Sequence, residues 1–127
     1  MHSVELIKIA GQNVYKLTLD GFIQIEEMQD FQRQCDEALK TPAPNFRVFG
    51  DIRGFKPATP NVQEIMVQVQ KGFKIKGLKK VAVLVDNVVT KMQFQRLHSA
   101  AGVKGTDQFF AAEEDGYMEK IEQFLGE

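Results

Sequence analysis

The sequence lacks several features that would assign a protein to a specialised class. It contains a single cysteine, Cys35, so no internal disulfide can form, which suits a reducing compartment. No apolar run approaches the ~20 residues needed to cross a bilayer, and residues 1–10 lack the apolar core of a secretory signal. These absences predict a cytoplasmic protein with no stable membrane insertion.

Neither sign of charge is in excess, and the composition is ordinary. The formal net charge is -1, so no overall field attracts nucleic acid, and we expect no nucleic-acid partner. Hydrophobic residues make up 43% and charged residues 26% of the sequence, as in typical soluble globular proteins. A chain of this length, without internal repeats or a linker, predicts one domain over residues 1–127 with a substantial core.

The motifs that carry common enzyme chemistry are also missing. The chain has neither a phosphate-binding glycine loop nor a dinucleotide fingerprint, and its cysteine and histidines lack zinc-site spacing. His98 and the adjacent Ser99 do not supply a hydrolytic triad, because neighbouring helical residues point in different directions. We therefore predict no catalytic residue, no metal, no cofactor and no enzyme activity, with His98 a surface or packing residue.

The clearest structural signal is the apolar run Val81–Val85, which lies between Lys79–Lys80 and Asp86. Its β-branched valines favour a strand. The run does not alternate polar and apolar residues, so both of its faces should be buried, as in the middle of a mostly parallel sheet. We expect the rest of the chain to form strands beside it and helices over it.

Periodicity and turn signals place the other elements around this strand. Alternation and a Gly/Asn turn predict a β-hairpin, apolar residues three and four apart predict helices, and proline or glycine marks several helix ends. The predicted elements are strands at 4–9, 14–19, 46–52 and 108–112, and helices at 23–40, from Thr59–Pro60 to Gly72 or Gly77, from Asn87 or Thr90 to Gly102, and from the acidic residues 113–115 onward. This β-β-α-β-α-β-α-β-α order predicts an α/β domain with a mixed, mostly parallel five-stranded sheet.

Two helices carry residues whose placement bears on function. Cys35 lies on the apolar stripe of the first helix, so we predict a packed core thiol rather than a nucleophile. In the third helix, the spacing of three and four that is typical of a packed stripe falls on Val89, Met92, Gln93, Arg96, Leu97 and Ala100.

Two aspartates follow predicted parallel strands, at the edge where ligands gather in open α/β sheets. Asp51 and Asp86 could share a proton or hold a cation there; alternatively, each caps a loop or a helix start. Arg53 is placed to pair with a carboxylate, and Asn87 is a candidate start of the third helix. These four residues form the predicted ligand or partner edge.

A local basic run begins in the second helix and reaches the central strand. It could meet a phosphate-rich partner or anionic lipid, or it could be a solvated surface beside the helix C-terminus. Without interleaved aromatic residues for base stacking, it does not favour nucleic acid. The residues of this run are Lys71, Lys74, Lys76, Lys79 and Lys80.

The stretch from Phe46 to Leu125 resembles the SpoIIAA-like, or STAS-like, family. The residues that carry the resemblance are Asp51-Ile52-Arg53-Gly54-Phe55, Lys79 to Asn87, and Asp107-Gln108-Phe109-Phe110 followed by Glu113-Glu114. The resemblance implies a right-handed superhelix of βα turns, with the helices packed largely on one side of the sheet. It also implies a regulatory domain that binds a protein partner or, as in the related CRAL-TRIO carriers, a lipid.

One segment departs from the family pattern. Phosphorylation-controlled STAS proteins carry an Asp-Ser-Ser/Thr-Gly-like segment where this chain has Lys56-Pro57-Ala58-Thr59-Pro60-Asn61. Thr59 is the only hydroxyl there and is the candidate phospho-acceptor. The alternative, which the sequence favours, is that Thr59 caps the second helix, with Pro60 at its first position.

Two functions lead from the sequence, ahead of a third, an enzyme that acts through Asp51 and Asp86. The first is a non-enzymatic domain that works through a protein partner or a homo-oligomer, as the resemblance and the missing catalytic constellation indicate. The second is binding of a lipid or other apolar small molecule in an adaptable pocket. A flat exposed apolar patch would favour the first function, and a large apolar cavity would favour the second. The candidate pocket residues are Met28, Met66, Met92 and Phe73.

Overall fold

The computed structural model describes all 127 residues, as four helices and one five-stranded sheet. The elements are β1 (His2–Ile9), β2 (Gln12–Leu19), α1 (Ile25–Ala38), β3 (Arg47–Asp51), α2 (Pro60–Ile75), β4 (Val81–Val85), α3 (Val88–Ala101), β5 (Asp107–Ala111) and α4 (Tyr117–Gly126). The strands lie in the order β1-β2-β3-β4-β5, with β1 antiparallel to β2 and every other pair parallel. The predicted order of elements and the mixed sheet are confirmed.

Several element boundaries differ from the prediction, and local backbone conformation explains two of them. The hairpin turns at Ala10 and Gly11, which both have positive φ angles, so β2 already begins at Gln12. The last helix begins at Tyr117, because Gly116 holds the N-cap position with a left-handed φ of 76°. The acidic residues 113–115 therefore precede α4 and do not form its first turn.

The two faces of the sheet are covered unequally. Helices α1, α2 and α3 cover one face over a core of 21 buried residues, which includes Phe73, Val83 and Phe94. Helix α4 covers the other face over a core of seven, which includes Leu84 and Ile121. Strand β4 is buried along its whole length, as its uninterrupted apolar run predicts.

Helix α3 packs through a different set of residues from the predicted one. Gln93 and Leu97 are buried as expected, but Val89, Met92, Arg96 and Ala100 are exposed. The helix turns three polar side chains inward because each finds a hydrogen-bond partner on a distant segment. The residues that α3 buries are Thr90, Gln93, Phe94, Leu97, His98 and Ala101.

Candidate functional site

An arginine and an aspartate form the centre of the predicted edge, at the end of β3. The carboxylate of Asp51 accepts hydrogen bonds from Nε and Nη2 of Arg53, at 3.0 and 2.8 Å, and from the Arg53 backbone N–H at 3.3 Å. Arg53 Nη1 also donates to the hydroxyl of Tyr117 at 3.0 Å, and the guanidinium lies 5.8 Å from the centroid of that ring. Arg53 therefore connects the end of β3 to the start of α4.

Asp51 and Arg53 hold each other in their charged forms. Burial by itself would raise the pKa of Asp51, but the hydrogen bonds from Arg53 outweigh burial and lower it. The same hydrogen bonds raise the pKa of Arg53, with smaller contributions from Tyr117 and Asp86. A carboxylate that already accepts three hydrogen bonds from one arginine is poorly placed to share a proton or hold a cation.

The other two edge residues support loops and helix starts. Asp86 Oδ2 accepts from the backbone N–H of Gly54 at 3.0 Å, which joins the loop after β3 to the end of β4. Asn87 Oδ1 accepts from the Thr90 N–H at 3.1 Å and so caps α3. No three His, Cys, Asp or Glu side chains converge in a geometry suited to a metal ion. The arrangement favours the loop-capping alternative for both aspartates.

Thr59 occupies the N-cap position of α2 but does not cap it through its side chain, so that part of the prediction is wrong. Its hydroxyl instead donates to Asn61 Oδ1 at 2.6 Å, and the same oxygen accepts from the Val62 N–H at 2.9 Å. Pro60, at the first helical position, has no N–H to offer. Asn61 therefore takes over the capping role, and Thr59 remains exposed at the helix start.

The two candidate nucleophile or base residues lie in the core. Cys35 is buried, and burial raises the pKa of its thiol to about 12, which confirms a packed thiol. His98 is only 1% exposed, and its Nδ1 lies 2.8 Å from Asp107 Oδ2. Of the two predicted alternatives for His98, packing is correct and surface is wrong. Its partner Asp107 was not evident from the sequence.

The basic run does not form one uniform surface. Lys80 is half-buried. Its Nζ donates to the Phe124 carbonyl at 3.1 Å and lies 4.9 Å from the centroid of the Phe124 ring. The remaining lysines of the run, which are exposed and form no ion pair, are Lys71, Lys74, Lys76 and Lys79. The structure thus separates one packing lysine from four solvated ones.

An exposed apolar surface, which we call the α3 patch, lies beside the edge residues. It consists of Val88, Val89 and Met92, whose exposed fractions are 71%, 60% and 53%. Residues three and four apart on a helix are neighbours, so Met92 lies next to both valines. The patch went unrecognised in the sequence because the helical spacing assigned Val89 and Met92 to the buried side. Two consecutive valines directly after the capping Asn87 are the signal that could have revealed it.

Comparisons with known proteins do not add a function to this geometry. No protein-family model matches the chain, and no curated protein matches it significantly. None of the four helices is long and apolar enough to span a membrane.

Proposed function

We propose that this chain is a cytoplasmic, non-enzymatic, STAS-like domain that binds a protein through the α3 patch. The partner is a different protein or a second copy of the chain. The observation that carries the proposal is the contiguous exposure of Val88, Val89 and Met92 on one helix surface. Large apolar side chains grouped on a surface are typical of interaction sites, whereas single exposed ones are ordinary.

Hydrogen bonds hold the part of α3 that carries the α3 patch in place, as an interaction site requires. Asn87 caps the helix directly below the patch. The Thr90 hydroxyl donates to the Phe55 carbonyl at 3.1 Å, and the Gln93 side chain accepts from the Ala58 N–H at 2.8 Å and donates to the Ala58 carbonyl at 3.2 Å. These bonds fix the first two turns of α3 to the loop after β3, so a partner would meet an ordered surface.

Polar groups border the α3 patch on one side. A shallow cavity of about 100 Å³ lies against Val88 and is lined by Asp86, Lys91 and Glu113. An apolar centre with a charged rim is the usual anatomy of a protein interface. The cavity offers a place for one partner side chain beside the valine.

The small-molecule alternative finds less support. The apolar cavity between the sheet and the helices has a volume of about 30 Å³, well below the roughly 300–1,000 Å³ of typical ligand pockets. Of the four residues predicted to line a pocket, Met66 borders this cavity, Met28 and Phe73 are fully packed in the core, and Met92 is on the surface. A lipid would require the core to open.

Native mass spectrometry tests the two functions against each other. The purified protein is compared with Val88→Glu/Met92→Glu and with the control Gln95→Glu, which adds a charge at an exposed polar position of the same helix. We expect a homo-oligomer or a co-purified protein with the wild type and the control, and its loss in the double variant. A bound small molecule that is retained by all three proteins would refute the proposal.

Thr59 offers a separate test of regulation at this surface. It follows Ala58, which is bonded to Gln93 of α3, so a phosphate on Thr59 would lie close to the second turn of that helix. We expect Thr59→Asp and Thr59→Ala to bind the partner equally, because the unmodified side chain serves only the Asn61 contact. Loss of binding in the aspartate variant alone would favour the phosphorylation-switch hypothesis.

A further inference from the structure

His98 carries a buried polar atom with no partner. Its Nδ1 is bonded to the Asp107 carboxylate, whereas its Nε2 is buried and contacts no donor or acceptor within the protein. Because a carboxylate accepts hydrogen bonds, the ring proton of a neutral His98 belongs on Nδ1. Nε2 then presents a lone pair, so its missing partner is a hydrogen-bond donor.

His98 borders the 30 Å³ cavity between the sheet and helices α1, α2 and α3. The other walls are mainly apolar and include Met66, Val83 and Phe94, with Gln70 as the one further polar side chain. This volume exceeds the roughly 10–15 Å³ that one water molecule requires. A buried acceptor and an adjoining space therefore occur together.

Gly50 leaves this space open. It lies in the middle of β3, between Leu17 and Val83 of the neighbouring strands, and it borders the cavity. Its φ angle is not in the left-handed region, and an added Cβ would meet only the Ala82 carbonyl oxygen, at 3.9 Å. Neither backbone conformation nor crowding requires glycine, although glycine weakens a strand interior. Glycine at this position adds no side chain to the cavity.

We propose that the cavity is a binding site for one hydroxyl group, which donates its hydrogen bond to His98 Nε2. Solvent water supplies this hydroxyl in the simplest case, and a short-chain alcohol, whose carbons would contact the apolar walls, has the same chemistry. Asp107 sets the polarity of the site, because it fixes the proton on Nδ1 and leaves Nε2 as acceptor. Gly50 and Met66 set its size.

Nitrogen NMR of histidine-labelled full-length protein tests this directly, with His2→Gln used to assign the two rings. The shift of an unprotonated ring nitrogen moves when it accepts a hydrogen bond. We expect His98 Nε2 to be unprotonated and hydrogen-bonded in the wild type at pH 7.5, and to move toward the value of a free nitrogen in Gly50→Ala, whose methyl group fills the cavity. Val83→Ile fills the same space from β4 if Gly50→Ala does not fold.

The matched control is Gly72→Ala, since an added Cβ at this α2 glycine meets nothing within 4 Å and its φ is not positive. It should leave the His98 signals unchanged. A free-nitrogen shift in the wild type, a proton on Nε2, or the same shift in wild type and Gly50→Ala would overturn the proposal.

Two further measurements identify the source of the hydroxyl. Cross-relaxation between water and the Met66 methyl group, with no response to ethanol, assigns the site to water. A saturable ethanol-dependent shift of Nε2 in the wild type, absent in Gly50→Ala, assigns it to an alcohol. If neither signal is observed, the cavity is empty and the proposal fails.

Discussion

The two ends of helix α3 reverse the usual distribution of polar and apolar residues. Its first two turns expose Val88, Val89 and Met92, whereas its last turns bury His98. The buried end is stabilised by a specific partner, Asp107, and the exposed end has none in this chain. The difference shows that the fold holds the buried polar residue in place, whereas no contact within the domain accounts for the exposed apolar residues.

The largest expected effect comes from one substitution made at the two kinds of valine. Val83→Asp places a charge in the core, beside the cavity that His98 borders, and should cost at least ~4 kcal/mol of unfolding free energy or prevent folding. Val88→Asp places the same charge on an exposed first-turn residue, where the helix dipole favours it, and should change stability by no more than ~0.5 kcal/mol. Urea unfolding of both variants gives the comparison; similar losses would show that α3 is packed differently.

The next comparison is between two residues of α3, the buried Phe94 and the exposed Met92. Phe94→Ala removes a buried ring that packs edge-to-face on Phe55, and should cost ~3–5 kcal/mol. Met92→Ala removes an exposed side chain and should cost ~0.5 kcal/mol or less. The unfolding free energies of the two variants, measured by thermal or urea unfolding, give the comparison. A large loss for Met92→Ala would mean that the α3 patch packs inside the domain, which would contradict its assignment as a surface.

The helix starts provide a smaller contrast. Asn87→Ala removes the side-chain cap beneath the α3 patch and should cost ~1 kcal/mol. Thr59→Ala at the start of α2 removes only a bond to Asn61 and should cost a few tenths of a kcal/mol, within the ~0.5 kcal/mol typical of surface changes. Equal losses in urea unfolding would show that the Thr59 hydroxyl contributes as a cap after all.

The smallest effect is a pH dependence of opposite sign at the two histidines. Burial lowers the pKa of His98 despite its bond to Asp107. For His2, burial acts in the same direction, but hydrogen bonds to Glu27 and Asp30, both at 2.7 Å, outweigh it and raise the pKa. Unfolded histidine titrates near 6.5.

The sign follows from which state binds the proton more tightly. Below pH 6.5 the unfolded His98 takes up a proton that the folded one resists, so stability should fall as the pH drops from about 6.5. The contribution of His2 is complete below pH 6.5 and is lost as the pH rises through its raised folded pKa. Unfolding curves at pH 5 to 9 check both effects; His2→Gln should remove the loss on the alkaline side only, and an unchanged alkaline loss would assign it to another group.

Local patterns were sufficient to predict most of the fold. The valine run of β4, the hairpin and the order of helices follow from residues close in sequence, as does the pairing of Asp51 with Arg53 two positions away. The packed side of α3 could not be predicted in the same way. Thr90 and His98 are buried because Phe55 and Asp107 hold them there, and spacing within the helix carries no information about those partners.

The candidate site, like the fold, was predictable only where it depends on residues close in sequence. Asp51, Asp86 and Asn87 do lie at strand ends, but their bonds within the domain leave the α3 patch as the accessible feature. Tyr117, which completes the Arg53 contacts, lies 64 residues away in sequence and carries no local signal. Long-range pairing therefore determines which edge residues are structural and which surface is free.

Site-specific photo-crosslinking in living source cells tests the central claim most directly. A benzophenone amino acid replaces Met92 in the α3 patch or, as control, the exposed Gln95 on the same helix. We predict a discrete protein adduct from position 92 that Val88→Glu abolishes, and little or none from position 95. If the two positions gave the same adducts, or if position 92 gave none, the α3 patch would not be a binding surface and the proposed function would be contradicted.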